Sequence, residues 1–245
     1  MENLPSVLTQ ALAENQVFDL EGRSFPLESN IAASEARSLY QAIRTIRPEH
    51  CLEIGLAHGI SALAILGAIA ANQMGQHFVI DPFQRNYGYC GEAMIKRAGF
   101  ARLHTFFERF PEEVIPQLPK LQFAFIDSSH LFDLTMMEFV LIDKKLEPGG
   151  LIALHDLWMP AMQSVTRFIL ANRAYRICCE FTSSRPMLSV RERCKDVFRL
   201  SLIRIPKAKR IFNPSLLHPP FRTGNLMFLK KVSDDQRDWR MYQPF

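Results

Sequence analysis

From about residue 48 the chain alternates short apolar runs with longer amphipathic ones, and this alternation predicts a parallel sheet covered by helices. Strands are predicted at residues 50–54, 77–80, 103–107, 123–126 and 151–154, with helices between them at 59–72, 89–98, 111–117 and 131–146. Ahead of this body, Ala36, Leu39, Tyr40, Ile43 and Ile46 recur at helical spacing, so 34–46 is a helix stopped by Arg47-Pro48. A further amphipathic helix is predicted over 4–17. After the body come a helix at 160–172, opened by Pro160, and strands at 176–182 and 225–232. Between those two strands lies an insertion, 183–224, punctuated by Pro186, Pro206, Pro214, Pro219 and Pro220 and too long for an ordinary connection. The chain therefore reads as one domain over 1–245: N-terminal helices to 47, a core over 48–182, the insertion, and a last strand at 225–232.

Each predicted strand of the core ends at a Gly, Asp, Glu or His, and ligands of open α/β sheets sit at those carboxyl ends. In the first of them, Glu53 and Gly55 are followed by Gly59 at the mouth of a helix. The glycines permit a tight turn and close approach of a ligand to the backbone, and the helix start presents unpaired N–H groups. Ala57 stands where a dinucleotide fingerprint has its middle glycine, which argues against a bound pyrophosphate and an NAD-dependent oxidoreductase. An acidic Glu53 beside the turn suits a ligand that carries a cation. Asp81, at the next strand end, has the chemistry to accept both hydrogen bonds of a ribose diol, or to cap the turn at Pro82.

Glu53-x-Gly55-x-x-x-Gly59, Asp81, Phe125-Ile-Asp-Ser-Ser-His130 and Glu147-Pro-Gly-Gly-Leu-Ile-Ala-Leu-His-Asp156 follow one another on successive strand ends. This succession resembles the class I S-adenosylmethionine-dependent methyltransferases, and within them the small-molecule O-methyltransferases that include macrolide-sugar and catechol-type enzymes. The likeness spans 33–165 and returns at the last strand. It implies an α/β fold: a Rossmann-like, doubly wound, mostly parallel seven-stranded sheet with helices on both faces and an antiparallel last strand. It also implies S-adenosylmethionine as cofactor, with Glu53 near the methionine amino group, Gly55 and Gly59 beneath the cofactor and Asp81 on the ribose. Glu108 and Phe83 would then stand at the adenine.

The same resemblance gives Asp127 and Asp156 the positions of divalent-metal ligands, with His155 a further candidate, so Mg²⁺ is an expected ion. His130 falls where catechol-type relatives carry a general base, and Asp127 also borders the cofactor. Two departures stand out: Leu157 follows Asp156 where catechol-type enzymes have Asn, and Ser128 replaces a glycine. Trp158 and Met159 are expected at the substrate mouth, and Asp143, Lys144, Lys145 and Glu147 at the exposed end of a helix.

Charge adds one feature. Residues 185–231 hold twelve Lys and Arg against Glu192 and Asp196, a net +10 within a total of +4, so the remainder stands at −6. A lid that offers Arg or Lys to an anionic acceptor is one reading of this segment. The alternative is an RNA-binding protein or RNA methyltransferase whose basic segment tracks phosphates, although only Phe198, Phe212 and Phe221 are placed there for stacking. A basic and apolar run at 200–212 also suits a membrane surface. Five cysteines without paired spacing, no apolar run long enough to span a bilayer and no leader pattern place the protein in the cytoplasm, with the N-terminal helices and insertion as candidate homodimer contacts.

Overall fold

A computed structural model describes residues 4–181, 189–211 and 224–245. Ahead of the main sheet stand α1 (Ser6–Glu14), an antiparallel pair of β1 (Gln16–Phe18) and β2 (Ser24–Pro26), and α2 (Ala33–Ile46). The helix predicted over 4–17 thus ends early. Asn15 adopts a left-handed conformation at φ 52°, which closes α1 and turns the chain into β1.

The body runs β3 (His50–Ile54), α3 (Ile60–Asn72), β4 (Gln76–Ile80), α4 (Cys90–Arg97), β5 (His104–Phe107), α5 (Pro111–Val114) and β6 (Leu121–Ile126). It continues through α6 (Phe132–Lys145), β7 (Leu146–Leu154), α7 (Pro160–Asn172) and β8 (Tyr175–Cys178). After α8 (Val190–Ile203) and α9 (Pro206–Ile211) the chain returns as β9 (Met227–Lys231). The two helices within the insertion are additions to the sequence reading, with Pro206 opening α9 at the position where its missing N–H costs nothing. Pro186, Pro214, Pro219, Pro220, Phe212, Phe221 and the end of the predicted strand 176–182 lie outside the described residues.

The seven strands of the main sheet lie in the order β5-β4-β3-β6-β7-β9-β8. The first five pair in parallel, whereas β9 runs antiparallel to both β7 and β8. Chain order reverses at β3, which has β4 on one side and β6 on the other, and a crevice opens beyond their carboxyl ends.

Side chains alternate between two hydrophobic layers. Cys51, Phe123, Phe125, Leu151 and Ala153 face the layer that includes α2 and α3, while Leu52, Ile54, Ala124, Ile126 and Ile152 face α6 and α7. The α3 helix is apolar almost all round because the sheet, α1 and α2 enclose it.

One expectation fails at the end of α6, where Asp143 is buried while Lys144 and Glu147 are exposed. The edge formed by β8 and β9 covers it. Tyr175 Oη donates to Asp143 Oδ1 across 2.8 Å, Arg173 approaches Oδ2 at 3.2 Å, and the buried Lys231 ammonium donates to the Asp143 and Leu146 carbonyls. The buried carboxylate is thus matched by two cations and a hydroxyl.

Candidate active site

The strand ends are stitched together just beyond the sheet. Gly55 N–H donates to Ile80 O, Asp127 N–H to Ile54 O and His155 N–H to Ile126 O, so the last residues of β4, β3, β6 and β7 are held in step. Gly55 has φ +94°, and a Cβ there would stand 2.1 Å from the Asp127 carbonyl oxygen. Only glycine allows the two strand ends to approach this closely. Gly59, at φ +82°, caps α3 and faces the Gly91 backbone.

Asp81 is buried and holds the loop between these glycines. Its Oδ2 accepts from Leu56 N–H, Ala57 N–H and Gln84 Nε2 at 3.0–3.1 Å, and its Oδ1 accepts from Phe83 N–H at 2.8 Å. The capping reading of Asp81 is therefore realised in the geometry, while the same carboxylate lines a cavity of about 420 Å³. Phe83 and Phe110 stand at that cavity edge to face, 6.1 Å apart, and Tyr87, Met137 and Glu138 complete its wall. Burial pushes the Glu138 carboxyl up to about 7, partly opposed by the Ser128 hydroxyl that donates to it across 2.6 Å.

A second cavity, of about 620 Å³, shares Gly55, Ala57, Tyr87, Asp127 and Ser128 with the first and extends under the start of α2. Here the ends of β6 and β7 bring Asp127, His130, His155 and Asp156 together, with one ligand atom of each within 4.8 Å of the others. His130 Nε2 lies 3.2 Å from Asp127 Oδ1 and 3.1 Å from Asp156 Oδ2. His155 Nδ1 lies 3.1 Å from Asp127 Oδ1, and its Nε2 lies 3.3 Å from Glu35 Oε2. His130 and Asp156 both have positive φ, 56° and 53°, a backbone strain of the kind that aims side chains at functional sites.

These pairings set the charges. Burial works against a charged His155, but the hydrogen bonds it donates to Asp127 and Glu35 outweigh it and carry its pKa to about 10. Burial likewise opposes ionised Asp127, and the two imidazoles reverse that effect and bring it down to about 2. Hydrogen bonding to Asp127 raises His130 above the usual imidazole range. Both imidazoles are thus biased toward their charged forms by the carboxylates around them.

Of the sequence-predicted residues, Gly55, Gly59, Asp81, Phe83, Asp127, His130, His155 and Asp156 line one or both cavities. Glu53 and Glu108 do not. Alternation along β3 turns Glu53 to the α3 layer, where Ser61 Oγ donates to it and His77 Nε2 lies 3.0 Å away, all three buried. Burial raises the Glu53 carboxyl well above its ordinary range and lowers His77 well below, so this contact is between neutral groups. Glu108 is exposed and accepts from Tyr89 Oη at 3.0 Å, while Glu112, four residues on, lines the cavity. Leu157 is buried in the core, and the amide beside Asp156 comes from Asn225, whose Nδ2 donates to Asp156 Oδ1 across 3.0 Å. Trp158 and Met159 line neither cavity: Met159 packs against the hydrophobic layer, and Trp158 is exposed with its Nε1 donating to the same oxygen.

Glu35, Tyr87, Phe110, Glu138 and Asn225 are site residues that the sequence reading missed. Glu35 is the third residue of α2 and its carboxylate accepts the Ala32 N–H at 2.7 Å, but with Ala32 at the helix start the sequence carries no capping signature to single it out.

Residues 52–157 match the family model described as a methyltransferase domain. No curated protein matches the chain. Among solved structures it is similar to the O-methyltransferase TomG from Streptomyces achromogenes in complex with SAM (18% identity, 71% of this chain and 81% of that one, TM-score 0.55). It is similar also to an O-methyltransferase from Bacillus cereus in complex with SAH (17% identity, 73% and 83%, TM-score 0.56). The SAH-bound methyltransferase PaMTH1 from Podospora anserina shows the same relation (14% identity, 71% and 83%, TM-score 0.59). Residues 52–157 thus match the model of a methyltransferase domain, and the chain shares the fold of these solved methyltransferases.

Proposed function

We propose that this protein transfers a methyl group from S-adenosylmethionine to a hydroxyl oxygen of a small acceptor. The observation that carries this reading is the junction of the two cavities at Gly55, Asp127 and Ser128, with paired aromatic rings on one side and the Asp127, His130, His155, Asp156 cluster on the other. The cofactor supplies an activated sulfonium methyl group, so the protein's work is alignment and proton handling.

The pair Phe83 and Phe110 would hold the adenine, and Asp81 Oδ1, with a single backbone donor, has room for a ribose hydroxyl. Glu53 supports the loop from below, through Ser61, and takes no direct part. His130 is the general base: it would take the acceptor's proton as the oxygen attacks, and its new charge would be shared with Asp127 and Asp156. His155, already cationic, fixes the orientation of Asp127.

The donor set fits a divalent cation. Asp127 and Asp156 offer the oxygens that Mg²⁺ prefers, Asn225 Oδ1 is a buried amide oxygen without a hydrogen-bond partner beside them, and His130 or His155 could add a nitrogen only on giving up its proton to make room for the ion. Such an ion would lower the pKa of an acceptor hydroxyl.

The described walls of both cavities carry no Lys or Arg, so a neutral hydroxylated acceptor suits them. An anionic acceptor would need its counter-charges from the 183–224 segment. Nothing in the geometry or the relatives favours the RNA reading. No helix among the described residues is long and apolar enough to cross a membrane.

The test is calorimetric titration with S-adenosylmethionine and S-adenosylhomocysteine, in Mg²⁺ and in EDTA, followed by transfer of labelled methyl to a panel of hydroxylated acceptors. Micromolar binding and labelled ether products support the proposal. Folded protein that binds neither compound would reject it.

A further inference from the structure

The insertion carries an amphipathic face turned outward. On α8, Val190, Cys194, Val197, Phe198 and Ser201 recur at intervals of four, seven, eight and eleven residues, which places them on one stripe of the helix. Soluble helices turn such a stripe inward, but Val190 is 78% exposed, Val197 63% and Phe198 65%, with Cys194 and Ser201 exposed as well. The residues on the far side of α8, Asp196, Arg199, Leu202 and Ile203, are the half-buried ones. Among the described elements α8 packs chiefly on α9.

The stripe is bordered by cations. By helical position Arg191 follows its Phe198 edge, while Arg193 and Arg204 follow the other, beside the exposed Leu200. All three arginines are exposed. Over 189–211 there are eight Lys and Arg against Glu192 and Asp196, the exposed Lys207 of α9 among them, and Ile205 just before α9 is also exposed.

We propose that this face of α8 docks on an anionic phospholipid surface, with Val190, Val197 and Phe198 entering the headgroup boundary and the flanking arginines paired with lipid phosphates. Charge complementarity selects this occupant. Two copies of α8 set face to face would bring the two arginine borders together, so self-association through the stripe is opposed. Nucleic acid would use the arginines and could stack on Phe198, but it would leave Val190 and Val197 exposed without a role. A lipid surface alone uses both parts, the long arginine stems reaching outward while the apolar tips enter. The membrane would then sit beside the catalytic domain and bring surface-borne molecules to it.

The test is sedimentation of the full-length protein with vesicles of phosphatidylcholine alone and of equal parts phosphatidylcholine and phosphatidylglycerol. The proposal expects binding to the mixed vesicles only, weakened by salt, and lost by about tenfold or more in V197E/F198E. That variant should keep its circular dichroism and its affinity for S-adenosylhomocysteine, which separates this proposal from the catalytic one. Should V197E/F198E not fold, R191Q/R193Q/R204Q reads the same contact and is expected to lose about fivefold or more per arginine. Absence of wild-type binding to mixed vesicles, or undiminished binding in the variants, would overturn the proposal. So would a vesicle-independent dimer that V197E/F198E dissolves, since the face would then belong to a second copy.

Discussion

Asp127 Oδ1 accepts from His155 Nδ1 across 3.1 Å, and this one charged hydrogen bond fastens the end of β6 to the end of β7 at the cavity floor. The His155 pKa rises from 6.5 to about 10 in the folded protein. The stabilisation it gives is complete below about pH 6.5 and is lost as pH climbs through about 10. Thermal melting of the wild type should therefore fall across that window, and H155Q should be less stable at neutral pH with a flatter profile. Identical slopes in the two proteins would show that the bond contributes nothing.

His130 carries the proton transfer in the proposed reaction. Because pairing with Asp127 raises its pKa, the neutral, proton-accepting form gains population only on the alkaline side of 6.5. Turnover at saturating cofactor should rise with pH through that raised value. H130A should lose about 10²- to 10⁴-fold in kcat and D127A should be comparably impaired, with S-adenosylhomocysteine affinity nearly unchanged in both. Loss of cofactor binding in both variants would move these residues from chemistry to cofactor recognition.

Phe110 meets Phe83 edge to face, 6.1 Å between centroids, at the mouth of the smaller cavity. Truncating it to Ala should weaken cofactor binding by about 0.5–1.5 kcal/mol, up to about tenfold. The KM for S-adenosylmethionine should rise while kcat holds. A fall in kcat with unchanged KM would place the ring against the acceptor.

Gly55→Ala inserts a methyl group 2.1 Å from the Asp127 carbonyl oxygen at a residue with φ +94°. The combined strain should destabilise the fold by about 2–4 kcal/mol. Chemical denaturation gives the value, and a change below about 0.5 kcal/mol would mean that the β3 and β6 ends separate freely.

Glu138 is a carboxyl raised by burial from 4.5 to about 7. A raised acid withdraws stability as pH increases from the unfolded value through the folded one. Glu138→Gln keeps an acceptor for Ser128 and removes the charge, so the variant should exceed the wild type by about 1–3 kcal/mol at mildly alkaline pH and match it near pH 4. Melting curves across this range decide the matter, and equal curves would indicate that water reaches the carboxylate.

The parallel core was legible because its strands are continuous apolar runs ending in Gly55, Asp81, Asp127 and Asp156, and backbone geometry alone puts such ends side by side. Glu53 was misplaced by attention to its distance from Gly55. The twofold alternation along β3 groups it with Cys51, on the layer that α3 covers, and argues for the core position. Asn15 is a short signal easily passed over inside an apolar pattern, which is how the start of β1 was absorbed into a helix and its partner β2 went without an assignment. Glu35 and Asn225 escaped for a different reason: each reaches the cavity from an element far along the chain from the motifs, and only tertiary packing brings them there. Asp143 escaped likewise, since Tyr175 and Lys231 cover it from strands about thirty and ninety residues later.

The order of strands at the far edge of the sheet has a bearing on biosynthesis. β8 is made before β9 but joins the main sheet only through it, as the outermost strand. A nascent chain must hold Tyr175–Cys178 unpaired until residues 227–231 have left the ribosome, and Asn225 arrives at Asp156 with that same late strand. Release of a chain shortened before β9 would leave β7 with an open edge and the cavity without its Asn225 wall, a product that combines inactivity with exposed strand backbone. Completion of the candidate site and closure of the aggregation-prone edge are thus one event in the life of the chain.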